Sequence, residues 1–377
     1  MKNIFKKKNK ISKNKVVEIQ TENTTGNCLV SYKNLYLDCS QKELDFGHSS
    51  KWESKKIVEI FLDIGFNVDV IDWEDNSFLP LKNYDVVFDI HQNLSRIVPS
   101  LSDHSIKILH STGSHPKYAA NQEIDRVNQL IKRKKKNYRP KRICETIYFD
   151  RSAEVANAIS LFGNSHTKST FPKNLHEKIT LLPVTSSRTL VKDMNTKDSK
   201  EFLWFYGYGA VHKGLDILLD IFSRDQNYKL NIVGEVEIEK DFMNIYANEL
   251  LNLPNIEYHG YLTPLSKDFQ KVINRCIAFI APSCSESTST AALTCIMAGL
   301  YPIYGIDNGL TLPSDTGFLL DSCSHKQIIK GIRTVSKYSR MELNREVKKI
   351  KDFVTKNHSR ESFTSKMKEF ILKSIND

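Results

Sequence analysis

The chain has 377 residues, of which 40% are apolar and 26% are charged, with 15 glycines and 11 prolines. At roughly 100–200 residues per domain this length predicts two domains, and the composition excludes collagen-like, coiled-coil and low-complexity chains. Lysine and arginine (54) outnumber aspartate and glutamate (44), and the net charge of +10 favours an anionic partner: nucleic acid, a membrane surface or a phosphate-bearing small molecule.

The first part of the chain alternates short apolar runs with helical spacing. Residues 1–26 are polar and rich in lysine and asparagine, which predicts a basic, disordered tail. Apolar runs predict strands at 28–32, 66–72, 84–90 and 106–110, and apolar residues at helical spacing predict a helix over 52–64. Strands alternating with helices predict a mainly parallel sheet covered by helices.

A second alternating series follows a polar linker at 191–200. Strands are predicted at 201–206, 229–233, 256–259, 276–281 and 301–304, with helices near 213–222, 238–250, 264–274 and 287–298. The fold class is therefore α/β, with two Rossmann-like, doubly wound domains at 27–190 and 201–345. We expect the C-terminal helices, 346–377, to cross back to the first domain, and a ligand to bind between the two sheets.

Membrane and metal signals are weak in the sequence. The apolar stretch 291–306 is interrupted by Thr294, Pro302 and glycines, and falls short of the ~20 residues of a membrane span. The basic N-terminus lacks the apolar segment of a signal peptide. The seven scattered cysteines form no Cys-x-x-Cys pair, so no zinc site is predicted and a reduced, cytoplasmic compartment is expected.

The sharpest motif lies after the strand that starts at residue 201. It reads Gly207-Tyr208-Gly209-Ala-Val-His-Lys213-Gly214, with the lysine at the opening of the next helix. Backbone amides, the helix dipole and an ammonium together suit a diphosphate. The alternative is an ordinary strand-to-helix turn that uses glycine for its backbone conformation.

A second motif, Pro282-Ser-Cys-Ser-Glu286-Ser287-Thr288, follows an apolar strand. A carboxylate and hydroxyl groups at the carboxyl end of a strand suit the recognition of a sugar. The alternative is an acidic residue stabilised by the positive end of a helix.

Together these two motifs make the C-terminal half resemble GT-B glycosyltransferases of the family 4 type, also called glycosyl transferases group 1. The resemblance covers about residues 27–375 and is strongest over 201–320. It implies a retaining glycosyltransferase with a nucleotide-sugar donor, a glycan or lipid-linked acceptor, and no metal or other cofactor. It also implies a role in cell-surface polysaccharide or lipopolysaccharide synthesis.

The resemblance assigns roles residue by residue. Lys213 matches the diphosphate-binding lysine, but Tyr208 stands where the family has an arginine, and Gly209 is expected to let backbone amides approach the phosphates. Glu286 matches the carboxylate that orients the donor sugar, whereas Thr294 replaces the glutamate that holds the ribose. The remaining implied donor-binding residues are Gly207, Gly214, Gly234, Glu235, Tyr261, Ser287 and Thr288.

In the N-terminal half the matches are looser. His110 ends a predicted strand beside Ser-Thr-Gly, so we expect it to contact the donor sugar and to act with Glu286 and Lys213 in catalysis. A histidine at a strand end is as often a structural group. Weaker candidates for the cleft are Gly47, His91, Arg151 and Glu154.

The segment 132–142 carries eight cations on and after an amphipathic helix. We expect it to contact an anionic membrane at the inner face, away from the donor motifs; the alternative is a solvated charged face. Specific nucleic-acid binding is not expected, because no RNA- or DNA-binding motif accompanies the charge.

Two other functions are compatible with the sequence. A catalytically degenerate sugar-nucleotide-binding or scaffold protein would explain Tyr208 and Thr294. A basic module that binds nucleic acid or membrane would explain the charge, but it would leave a two-domain cleft without a role.

Overall fold

The computed structural model describes residues 13, 15–193 and 200–376, which fold into two compact units. The first unit combines the chain up to Gly113 with Glu145–Ser187 and the residues from Arg360 onward. The second combines Ser114–Cys144 with Arg188–Ser359. This division differs from the predicted one at two places. Residues 114–144 belong to the second unit, and of the C-terminal helical region only the part from residue 360 joins the first.

Strands and helices alternate along the described chain. The strands are β1 (Val17–Ile19), β2 (Gly26–Tyr32), β3 (Phe66–Asp72), β4 (Val86–Asp89), β5 (Ile106–Ser111), β6 (Ala158–Phe162), β7 (Ile179–Leu182), β8 (Glu201–Phe205), β9 (Lys229–Val233), β10 (Ile256–Tyr258), β11 (Cys276–Ala281), β12 (Tyr301–Gly305) and β13 (Phe318–Leu320). The helices are α1 (Gln41–Phe46), α2 (Ser49–Asp63), α3 (Asn93–Ile97), α4 (Pro116–Lys134), α5 (Ile147–Val155), α6 (Ser165–Ser169), α7 (Leu215–Phe222), α8 (Lys240–Ile245), α9 (Ala247–Asn252), α10 (Lys267–Arg275), α11 (Thr290–Met297), α12 (His325–Val335), α13 (Arg340–Asn357) and α14 (Arg360–Asn376).

The first sheet has the strand order β1-β3-β2-β4-β5-β6-β7. All its pairs are parallel except β1 with β3. Its central strands β2, β4 and β5 are mostly buried, and Leu29, Val87 and Leu109 are fully buried in the core. The parallel strands leave their carboxyl ends at one edge, which is the edge that carries ligands in open α/β sheets.

The second sheet is parallel throughout and has the order β10-β9-β8-β11-β12-β13. Counted from β8, this is the Rossmann order 3-2-1-4-5-6. In this order, successive strands are added on one side of the first strand and then, from the fourth strand on, on its other side. The switch point therefore lies between β8 and β11. Both sequence motifs follow these two strands directly.

Most predicted strands are confirmed, and the differences have local causes. The predicted tail of 1–26 is wrong for Val17–Ile19, which pairs with β3; residues 1–12 and 14 lie outside the described residues, as do 194–199 of the predicted linker. The predicted helix over 238–250 is two short helices, α8 and α9. The strands β1, β6, β7 and β13 were not predicted, and all are short.

Candidate functional site

The loop after β8 and the loop after β11 meet at the switch point of the second sheet. Cys284 donates its backbone N–H to the His212 carbonyl over 2.9 Å. The His212 ring joins the same two loops, since its Nε2–H donates to the Ser285 carbonyl at 2.7 Å. Backbone and side-chain bonds from one residue thus fix the two motifs to each other.

Lys213 and Glu286, one from each loop, form an ion pair. The Lys213 side chain is 7% exposed, and its ammonium also lies 5.3 Å from the centre of the Tyr206 ring. Burial lowers the pKa of Lys213, while the Glu286 carboxylate opposes that shift. Burial would raise the pKa of Glu286, but Lys213 and Arg142 outweigh it and hold that pKa below its usual range. Each member of the pair therefore favours the charged form of the other.

Gly214 explains how the lysine reaches this position. The residue begins α7 with a φ of +75°, and a Cβ there would lie 2.7 Å from the Pro282 carbonyl oxygen. Only glycine combines that left-handed backbone with such close packing. The turn into α7 is thereby pressed against the end of β11, which places Lys213 beside Glu286.

A buried carboxylate, Glu239, closes the other side of the loop. Its Oε1 accepts the backbone N–H groups of Gly209 (2.7 Å) and Ala210 (2.9 Å), and its Oε2 accepts the Tyr138 hydroxyl at 2.7 Å. A side chain of the same chain therefore already satisfies these two amides, and the expectation that Gly209 lets backbone amides approach the phosphates stays a prediction. Gly207 is exposed, with open space around it.

The other donor-site residues predicted on this unit divide into exposed and buried positions. Glu235 and Tyr261 are exposed beyond β9 and β10, and Gly234 donates its N–H to the Gly260 carbonyl between them. Ser287 and Thr288 are buried, and the Thr288 hydroxyl donates to the Gly309 carbonyl.

Thr294, predicted to stand in for the ribose-binding glutamate, occupies a structural position. Its side chain is 3% exposed, and its hydroxyl donates to the Thr290 carbonyl within α11 at 2.8 Å. A hydroxyl held by its own helix has no free proton to offer a ribose.

The remaining candidates belong to the first unit. His110 is fully buried against the rings of Phe88 and Phe162, and its Nδ1 lies 2.8 Å from the Ser160 hydroxyl. Burial lowers the pKa of His110 to about 3, so the ring is neutral. Such a side chain cannot touch a sugar without unpacking the core. The burial of the ring favours the structural alternative for His110, and its role as a catalytic contact stays a prediction.

The weaker candidates have ordinary surroundings. His91 packs its ring against Trp73 and Phe149, and burial lowers its pKa. Arg151 and Glu154 are exposed on α5, and Gly47 ends α1 with its N–H donating to the Glu43 carbonyl.

The basic segment 132–142 belongs to the second unit, and much of its charge is used internally. Arg133 binds Asp216 and Asp220, Lys134 binds Asp220 and Glu249, and Lys141 binds Asp241. The expectation of a free cationic face is wrong for these three side chains. The segment also lies against the donor motif rather than away from it, because Arg142 contacts Tyr208.

Sequence reasoning missed Glu123, which is 1% exposed on α4. Its carboxylate accepts the backbone N–H groups of Lys141 and Arg142 and lies 3.3 Å from His212 Nδ1. Burial would raise the pKa of Glu123, but these partners lower it below the ordinary value. An acidic residue on the apolar stripe of Val127 and Leu130 was the available signal.

Comparison with known proteins agrees with this geometry. Residues 186–369 match the family model described as Glycosyl transferases group 1. The matched stretch includes both loops of the candidate site and most of the second unit. No curated protein matches the chain in sequence.

Solved structures share the fold at low identity. Sucrose-phosphate synthase from Thermosynechococcus elongatus has a TM-score of 0.62 at 12% identity, over 92% of this chain and 98% of that one. HepE from Anabaena, in complex with UDP and glucose, has a TM-score of 0.53 at 10% identity, over 93% of this chain and 99% of that one. TarM of S. aureus has 0.52 at 12%, and this chain, matched over 78%, spans 55% of the TarM chain. These likenesses establish the GT-B fold of two Rossmann-like domains.

The described residues hold neither a metal-binding cluster nor a membrane-spanning helix. In residues 13, 15–193 and 200–376, no group of three or more His, Cys, Asp or Glu side chains is placed to hold a metal ion. In the same residues, no helix has the length and apolar character needed to span a membrane.

Proposed function

We propose that this protein is a retaining, metal-independent glycosyltransferase that moves a sugar from a nucleotide-sugar to a glycan or lipid-linked acceptor. The observation that carries the proposal is the buried Lys213–Glu286 pair at the switch point of a Rossmann-ordered sheet. That crevice is where open α/β sheets bind nucleotides, and the pair lies inside the group 1 domain.

The chemistry breaks the bond between the anomeric carbon of the donor sugar and a diphosphate oxygen. A bond then forms from that carbon to the acceptor hydroxyl oxygen, and the hydroxyl proton passes to the departing phosphate. Negative charge grows on the leaving diphosphate, so a fixed cation there lowers the barrier. Lys213 supplies that charge, and Glu286 orients the hydroxyl groups of the donor sugar.

The donor test measures thermal stabilisation of the purified chain by UDP-, ADP- and GDP-sugars, followed by release of the nucleoside diphosphate on adding candidate acceptors. We expect Lys213→Ala to abolish stabilisation by the ligand that stabilises the wild type. Glu286→Gln keeps binding of the free diphosphate but lowers sugar transfer at least tenfold. Lys271→Ala is the matched control, since Lys271 is an exposed lysine on α10. Equal turnover in all four proteins would sink the proposal.

The position of Thr294 favours a second candidate, a sugar-nucleotide-binding protein without turnover. With its hydroxyl bound inside α11, Thr294 gives the ribose no carboxylate. Stabilisation by a nucleotide-sugar, with neither transfer nor hydrolysis of it over hours, would select this candidate.

A role in cell-surface polysaccharide or lipopolysaccharide synthesis at the cytoplasmic face of the membrane remains part of the proposal. The exposed cations Lys132, Lys135, Lys136 and Arg139 support contact with anionic lipid, at about 1 kcal/mol each near the surface. Co-sedimentation with phosphatidylglycerol vesicles, lost when all four become glutamine, tests the contact. Equal sedimentation with neutral vesicles would contradict it.

A further inference from the structure

The charge of the Lys213–Glu286 pair is balanced before any ligand arrives. Lys213 contributes one positive charge and Glu286 one negative charge, and the two are in direct contact. A nucleoside diphosphate carries two or more negative charges near neutral pH. A site that stabilises it as a leaving group therefore needs a further cation. Tyr208, the residue on the loop beside Gly207, brings none.

Arg142 brings a cation to that loop from another part of the chain. Its side chain is exposed, its Nη1 donates to the Tyr208 carbonyl at 3.4 Å, and its Cδ lies 2.5 Å from the place where a Cβ on Gly209 would stand. Substituting a larger residue for Gly209 would thus displace Arg142. The guanidinium lies over the loop because glycine leaves it room.

Although the Arg142 side chain is exposed, its backbone is fixed by hydrogen bonds. Its N–H donates to both oxygens of the buried Glu123 carboxylate, at 3.0 and 3.1 Å. The same carboxylate lies 3.3 Å from the ring of His212, the residue before Lys213. One carboxylate therefore ties the base of Arg142 to the loop that carries Lys213.

The guanidinium acts on the charged pair itself. After burial and Lys213, Arg142 is the next contribution to the pKa of Glu286, and it lowers that pKa. It also lowers the pKa of Lys213, where burial is the main cause. Both effects place its positive charge within electrostatic reach of the switch-point crevice, in the second unit alone.

We propose that Arg142 is the second cation of the diphosphate site, acting with Lys213 in the position that Tyr208 leaves without charge. This inference rests on the proposed function, and it names the residue that completes the donor site. The guanidinium fork pairs with two phosphate oxygens at once, which an ammonium cannot do. The net charge offered to the leaving group then becomes positive.

The test compares binding of nucleoside diphosphates with binding of the nucleosides that lack phosphate. Isothermal titration uses UDP, ADP and GDP against uridine, adenosine and guanosine, on the full chain. We expect Arg142→Ala to lower the affinity for the nucleoside diphosphate roughly ten- to a hundredfold, which is the range for losing a charge-assisted hydrogen bond. Binding of the matching nucleoside stays within about twofold.

Two further variants distinguish the effect of the Arg142 charge from the general positive charge of segment 132–142. Arg139→Ala removes an exposed arginine three residues away and keeps wild-type affinity. The double variant Arg142→Ala with Tyr208→Arg places a guanidinium on the loop itself and recovers most of the lost affinity. Thermal unfolding of each variant stays within about 2 °C of the wild type, because the three substituted side chains, Arg142, Arg139 and Tyr208, are exposed.

The possible results distinguish the role of Arg142 from the proposed glycosyltransferase function on which it rests. If the wild type binds none of the three diphosphates, the proposed function falls and Arg142 with it. If the wild type binds one and Arg142→Ala binds it equally well, only the role of Arg142 is overturned. Equal losses in Arg142→Ala and Arg139→Ala would reduce the effect to general charge and would also overturn it.

Discussion

Gly207 and Gly209 stand two residues apart in one loop, but their surroundings differ. At Gly209 φ is +98° and the Arg142 side chain fills the space beside it, whereas nothing lies within 4 Å of a Cβ on Gly207. The loop itself therefore needs glycine at 209. At 207 the missing side chain instead leaves exposed backbone that a ligand can approach.

We expect Gly209→Ala to lower the free energy of unfolding by about 1–3 kcal/mol, because alanine is strained at that φ. Gly207→Ala should change it by less than about 0.5 kcal/mol but weaken nucleoside diphosphate binding. Urea denaturation and calorimetric titration measure the two quantities. Equal losses of stability in the two variants would contradict this division of roles.

His110 shows why a residue's position in a strand does not reveal its function. The carboxyl end of β5 is the place for a ligand contact, yet the ring packs between Phe88 and Phe162. We expect His110→Ala to cost on the order of 3 kcal/mol of folding stability through the cavity it leaves. The affinity of the folded fraction for nucleoside diphosphate should not change. A selective loss of affinity without loss of stability would restore His110 to the site.

At the scale of elements, α4 is bound to α7 by charge. Asp216 on α7 is fully buried and Asp220 nearly so, and Arg133 on α4 binds both. Burial would raise the pKa of Asp220, but its partners, among them His325, Lys134 and Arg133, hold it well below its usual range. Removing one partner of a buried pair leaves the other charge uncompensated, which is costly.

We therefore expect Arg133→Met to lower the free energy of unfolding by about 3 kcal/mol, although methionine keeps much of the apolar contact. Lys132→Met, an exposed neighbour, is the control and should be neutral within about 0.5 kcal/mol. Chemical denaturation followed by tryptophan fluorescence reports the difference, since Trp204 is buried beside the loop that leads into α7. Equal stability of the two variants would mean that Arg133 is a solvated cation after all.

The same helix marks the limit of the sequence analysis. Strands such as β8 and β11 were predicted because an apolar run and the motif after it are both local in sequence. The assignment of α4 to the second unit depends on contacts such as Arg133 with Asp216, which are 83 residues apart and leave no local pattern. β7 was missed because it is four residues long and two of them are exposed. Local periodicity thus predicted most strands of the two sheets, and a local motif singled out Lys213 as a candidate, but neither indicated the side chains brought to the loop from elsewhere.

At the scale of the whole molecule, the first unit is assembled from three stretches of chain, and Glu53 lies where they meet. Glu53 on α2 is 1% exposed and accepts the N–H and hydroxyl of Thr185, beyond β7, at 2.7 and 2.8 Å. Arg360, which begins α14 and binds Asp45, adds its charge. Burial outweighs these partners and raises the pKa of Glu53 to about 7.

The sign of the resulting pH dependence follows from which state holds the proton. Between pH 4.5 and 7 the folded unit keeps the Glu53 proton that the unfolded chain has released. The contribution of this group to stability is therefore complete below about pH 4.5 and is lost as pH rises through 7. His110 works in the opposite direction. Its folded pKa of about 3 means that its contribution is complete above pH 6.5 and falls as the solution is acidified.

The substitution Glu53→Gln removes the pH dependence of stability that Glu53 causes and leaves the one that His110 causes. We expect the variant to match the wild type at pH 4.5 and to exceed it by about 2–3 kcal/mol at pH 8, because glutamine can accept the Thr185 bonds without a buried charge. The difference between the two unfolding free energies, measured by urea denaturation at half-unit steps of pH, isolates Glu53 from every other titrating group. A difference that stays constant with pH would mean that Glu53 is already ionised in the folded unit. In that case Arg360 would contribute more at this junction than burial does.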